Sequence, residues 1–192
     1  MKLQFFFFLF VIILFNSCKL ILGISDPKIE DKKTLNKYLA KINIDSSNCY
    51  VFYKPAFDSI QKLPYKPNWP VGFRPIQFKV FNSLGNLIGQ YASCEGSYKK
   101  LKIFESYPPR NVFKLDSLQN FESDIKMYRT YYGDKVKIAP NNNDLNFVIY
   151  WGKWMGRFGK NLLKEIYKYK KEHPEYKINI IKVNVAEFYI YK

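Results

Sequence analysis

The stretch that decides the fold runs LNFVIYWGKWMGRFGKNLLKEIYKYKKEHPEYKINIIKVNV, residues 145–185. Leu145–Trp151 is a nearly unbroken apolar run, the pattern of a strand buried on both faces. Over residues 156–171 the apolar positions are Phe158, Leu162, Leu163, Ile166 and Tyr169. They fall on one helical stripe, with Lys160, Lys164, Lys168 and Lys171 elsewhere, so the segment predicts an amphipathic helix. His173 and Pro174 close it. Residues 177–185 are again apolar and β-branched, a second strand. Strand, helix and strand with short links predict a βαβ unit with parallel strands.

Working outward, residues 116–132 place Leu118, Phe121, Ile125, Tyr128 and Tyr132 on one face of a further helix, with Asp116 and Gln119 at capping-box spacing. Residues 76–81 and 87–91 flank Asn82-Ser83-Leu84-Gly85-Asn86 and predict a β-hairpin. Residues 49–53 are another short strand. Four prolines in residues 64–75 mark an extended loop. His173, the sole histidine, has no partners for a catalytic triad or a metal cluster. The carboxylates form no glycosidase-type pair. Gly152, Gly156 and Gly159 lack the spacing of a phosphate loop. No metal and no cofactor is expected.

Between the buried strand and its helix lies Tyr150-Trp151-Gly152-Lys153-Trp154-Met155-Gly156-Arg157-Phe158. This segment resembles the active-site motif of the thioredoxin-like family, where an aromatic, Trp, a small residue, any residue and Trp precede Cys-Gly-x-Cys. The match falls on Tyr150, Trp151, Gly152, Trp154 and Gly156. The second strand of the unit ends in Val183-Asn184-Val185-Ala186, similar to the family's Val-Asn-Val-Asp. The resemblance spans about residues 116–188. It implies an α/β fold, a three-layer sandwich on a mixed sheet. It also implies that Trp151, Trp154, Met155, Gly156, Arg157 and Phe158 form the surface where family members meet their substrates.

The two family cysteines fall on Met155 and Phe158. Dithiol exchange needs a thiolate, which neither side chain supplies, so no redox enzyme is expected at this site. Two readings of the helix start stand side by side. Its free N–H groups and Arg157 hold an anion or a carboxylate, or Met155 and Phe158 pack into a closed surface. In the family a cis-proline and a hairpin follow the βαβ unit. Here Arg74-Pro75-Ile76 and the hairpin after it resemble that piece but come earlier in sequence. The fold is then circularly permuted, with Pro75 beside Met155; the alternative is an ordinary hairpin inserted before the unit.

The first residues give an address. One lysine, Lys2, precedes an apolar run from Phe5 to Phe15, the layout of a secretory signal and too short to span a bilayer. Leu14-Phe15-Asn16-Ser17-Cys18 resembles a bacterial lipobox, which implies cleavage before Cys18 and its acylation. An uncleaved anchor and plain secretion are the other readings. The expected organisation is a signal peptide over 1–17, a lysine-rich tether over 18–44 and one α/β domain over 45–192. The mature chain is expected at the bacterial cell envelope, held to the membrane by lipid on Cys18.

Formal net charge is +15, which favours acidic partners such as anionic envelope components. No nucleic-acid motif is present, and export argues against a genomic target, so no nucleic-acid partner is expected. With Cys18 carrying lipid, Cys49 and Cys94 remain; an oxidising compartment permits a disulfide between them, and nothing in the sequence shows that they meet. Three functions follow: a non-redox binding or scaffolding module, a thiol–disulfide protein using Cys49 and Cys94, and a basic surface binder.

Overall fold

A computed structural model describes residues 22–53, 55, 77–92 and 120–190. Cys18, Pro75 and Cys94, the signal peptide, the proline-rich loop and the Asp116–Gln119 capping spacing lie outside those residues.

The fold is α/β, an open mixed sheet of six strands with helices. In chain order the elements are α1 (Lys32–Lys41), β1 (Cys49–Phe52), β2 (Gln77–Asn82), β3 (Leu87–Ala92), α2 (Phe121–Ile125), β4 (Tyr128–Arg129), β5 (Leu145–Trp151), α3 (Gly156–Glu172), β6 (Ile178–Asn184) and α4 (Ala186–Ile190). The order across the sheet is β3-β2-β5-β6-β1-β4. β5 runs parallel to β6, and β6 parallel to β1. The hairpin lies antiparallel on the other side of β5, with β2 next to it. β4 pairs antiparallel with β1 at the opposite edge.

β5 is central and every one of its residues is buried, as its apolar run requires. Alternate β5 residues face opposite layers. On one face Phe147 packs on Phe78 and on Tyr169 of α3, and Trp151 stacks on Tyr38 of α1. On the other, Tyr150 stacks on Phe52, while Phe81 of β2 meets Phe121 of α2 edge-on. The hairpin turn uses Gly85 at φ +80°, and Asn82 Oδ1 accepts from the N–H groups of Leu84 (3.1 Å) and Asn86 (2.9 Å). An amide chain fixes register at the other end of the parallel strands: Asn48 donates to Asn179 (3.0 Å), and Asn179 to Asn146 (3.1 Å).

Two expectations change. Residues 32–44, assigned to the tether, belong to the folded unit. Asp31 caps α1 by accepting from Thr34 N at 2.7 Å, and Leu35 and Leu39, one helical turn apart, are fully buried. Burying such side chains stabilises by about 1.5–3 kcal/mol each, which outweighs the lysine-rich composition around them. The helix expected over 116–132 is, among the described residues, the short α2. It is capped by Asn120, whose Oδ1 accepts from Ser123 N at 2.9 Å. The chain then turns extended because Tyr128 enters the sheet as β4 and is wholly buried there. Tyr132 is left exposed.

Candidate functional site

The segment after β5 leaves the carboxyl end of the parallel strands, where open α/β sheets commonly hold their ligands. Trp151 is 1 % exposed, and its indole N–H meets no acceptor among the described residues. Gly152 is required by packing: a Cβ there would lie 2.3 Å from Trp154 Nε1. Residues 153–155 form a 3₁₀ turn, closed by Met155 N donating to Gly152 O at 3.1 Å. Gly156 follows at φ +54° and starts α3. Gly159 lets the helix approach the turn, since its Cβ would stand 3.2 Å from Gly152 O and Met155 Cβ.

The expected surface divides. Trp151 and Met155, at 1 % and 2 % exposure, face inward and present nothing to a partner. Trp154, Gly156 and Phe158 are half-buried, and Arg157 is exposed. The N-cap residue of α3, Met155, makes no side-chain capping bond. The turn is also covered by the chain itself. Ser25 N donates to Trp154 O at 2.9 Å, and Lys153 Nζ pairs with Glu30 Oε1 at 2.9 Å. Pro75, expected beside Met155, lies outside the described residues.

Cys49 sits on β1 beside Lys182 of β6. Burial pushes its thiol up to about 11, with the Lys182 charge partly opposing. A thiol held there carries little thiolate at neutral pH and is a poor nucleophile. His173 caps the end of α3, lies 4.4 Å from the Tyr169 ring and meets Glu175 at 3.1 Å. No cluster of metal-ligating side chains occurs among the described residues. Nor is any described helix long and apolar enough to cross a membrane.

Sequence reasoning missed a buried polar quartet beneath the hairpin. Lys79 of β2 pairs with Asp124 of α2; the same carboxylate accepts from Tyr128, and Tyr128 and Tyr150 hydroxyls lie 2.6 Å apart. Burial alone would lower the Lys79 ammonium, but Asp124 outweighs it and holds the amine above the usual lysine range. Burial, then the Asp124 charge, drive the Tyr128 and Tyr150 phenols above theirs. The one sequence signal was Lys79 itself, a charge set between the apolar Phe78 and Val80 of β2.

Two depressions open elsewhere. One, of about 650 Å³, lies at the carboxyl ends of β1 and β6 and is lined by Asp31, Lys32, Val51, Tyr131, Tyr132 and Asn184 among others. The other, of about 710 Å³, is lined by Ile42, Ile44, Tyr167 and four lysines of α3, Lys164, Lys168, Lys170 and Lys171. No family model, no curated protein and no solved structure matches the chain.

Proposed function

We propose that this chain is a thioredoxin-like module without dithiol chemistry, tethered by lipid on Cys18 outside the cytoplasm, which binds a protein partner at the turn between β5 and α3. The observation that carries the reading is the strand order together with the residues that open α3. A parallel β5-α3-β6 unit flanked on the β5 side by an antiparallel hairpin is the sheet arrangement that the resemblance implies. The hairpin comes before the unit in sequence, which supports the permuted form. At the positions of the two family cysteines stand the buried Met155 and the half-buried Phe158, neither of which can form a disulfide. Trp154 and Arg157 remain for a partner: one offers a broad apolar face with a polar edge, the other a charge. Replacing both by Ala is expected to abolish capture of envelope partners while the thermal midpoint stays within a few degrees. Unchanged pull-down profiles count against the reading.

The lysine-lined depression favours a second reading, a basic surface for anionic envelope components. Its lysines outnumber its single acid, Glu165. Binding to vesicles containing anionic lipid is then expected to fall steeply as salt rises, because exposed charges are screened within about 10 Å at 0.1 M. Binding indifferent to salt contradicts it.

A further inference from the structure

We infer that the turn of residues 153–156 is a seat for a peptide segment, and that residues 22–30 of this chain fill it in cis, so that a partner peptide reaches the turn only when this strap lifts. The inference rests on the reading of the turn as the partner surface and adds the control of access to it.

Three contacts define the seat. The Trp154 carbonyl takes a peptide N–H, here that of Ser25 at 2.9 Å. Gly156 admits a peptide backbone edge-on: a Cβ there would lie 2.3 Å from the carbonyl oxygens of both Leu22 and Gly23. Glycine at 156 thus meets two separate demands, its own φ of +54° and the strap lying against it. Lys153 then takes a carboxylate five residues beyond the N–H donor, here Glu30 at 2.9 Å. The seat therefore reads main chain and one charge, and it fits a segment that turns over Gly156, here at Gly23 with φ +64°, then runs past Trp154 and carries an acid toward its C-terminal end.

The same contacts make the strap removable. None of residues 22–30 belongs to the hydrophobic core, whose first member among the described residues is Leu35. Gly23, Ser25, Asp26, Lys28 and Ile29 are exposed. A segment held at the surface by polar contacts, without side chains in the core, opens at far lower free energy than the sheet below it. The occupant in cis therefore competes with one in trans at very high effective concentration, without being part of the fold. The strap also starts four positions after Cys18 in sequence, so whatever holds Cys18 bears directly on it.

The test uses the full chain and a fluorescein-labelled peptide with the sequence of residues 22–30, Leu-Gly-Ile-Ser-Asp-Pro-Lys-Ile-Glu. Anisotropy titrations compare the unaltered chain with the Ser25→Pro/Glu30→Gln double variant, whose own strap has lost its N–H and its charge. The double variant is expected to bind the peptide about tenfold more tightly, as follows when the open fraction rises tenfold. Adding Lys153→Glu is expected to weaken that binding, and adding Gly156→Ala to abolish it. Equal affinity of the unaltered chain and the double variant overturns the inference, and so does absence of binding to both. Hydrogen exchange gives a readout independent of the variants' folding: the Ser25 amide is protected in the unaltered chain, and an unprotected amide there also overturns it. Failure of the partner reading shows separately, as capture that survives loss of Trp154 and Arg157 while the peptide still binds the seat.

Discussion

Each face of the sheet buries a lysine, and the two are solved differently. On the α2 face, Lys79 meets a carboxylate, and that carboxylate is further satisfied by the Tyr128 hydroxyl, with Tyr150 at 3.2 Å. On the α3 face, Lys182 is wholly inaccessible, and its amine donates to the Tyr167 hydroxyl at 2.9 Å. No described carboxylate forms an ion pair with it. Burial therefore lowers the Lys182 amine, whereas Asp124 raises that of Lys79. Depth alone does not decide the state of a buried amine; the group set against it does. One face carries a closed charge network, and the other a lysine that the fold tolerates.

The largest expected effect comes from opening the closed network. Asp124→Ala leaves Lys79 buried without its counter-charge, and removing one partner of a buried pair costs about 3–5 kcal/mol. Urea unfolding at pH 7 measures it. The double replacement Lys79→Met/Asp124→Leu is expected to recover most of the loss, since an apolar pair of similar volume is often neutral or better. Equal losses in the single and double variants would contradict the account.

A smaller and graded effect is expected at alkaline pH. The Lys79 amine and the Tyr128 and Tyr150 phenols all titrate higher in the folded chain than in the unfolded one. Groups with raised values bind more protons when folded, so their stabilisation is complete below the unfolded values and is lost as pH climbs above them. The window opens near pH 10, where free tyrosine and lysine lose their protons. Phenolate absorbance from Tyr128 and Tyr150 is then expected to rise together with loss of the fold, not ahead of it.

The smallest expected effect is on the other face. Lys182→Met removes an amine that folding has desolvated for one phenol contact, and is expected to leave stability unchanged or raise it by about 1 kcal/mol. The sign at high pH is the reverse of the quartet's. Lys182 titrates lower when folded, so its cost shrinks as pH rises toward the unfolded value, and the benefit of Met shrinks with it. A loss above about 3 kcal/mol at pH 7 would show that Lys182 belongs to a network like that of Lys79.

What the sequence discloses follows the range of the interactions. The elements of residues 145–185 are legible because a buried strand needs an apolar run and a packed helix needs an apolar stripe, both written locally. The hairpin is legible for the same reason, through Asn82 and Gly85. α1 is hidden by composition: lysines dominate residues 32–41, and only the cap at Asp31 with Leu35 and Leu39 four apart betrays the helix. Residues 121–132 mislead because Phe121, Ile125 and Tyr128 fit a helical period, while the demand of the sheet edge for Tyr128 comes from β1, more than seventy positions earlier. The strap is not legible at all. Gly156 reads as a family glycine, and nothing local shows that residues 22 and 23 lie on it.

The sheet order also dictates when the protein can fold. β6 is the last strand in sequence, yet it lies between β5 and β1 and is hydrogen-bonded to both. Until it is made, β2, β3 and β5 can assemble on one side and β1 with β4 on the other, but no other described strand joins the two halves into one sheet. Contacts of such long sequence separation slow folding and leave strand edges open meanwhile. During synthesis the sheet thus stays divided until β6 has been made, and its two inner edges, on β5 and β1, stay open for as long as β6 is missing.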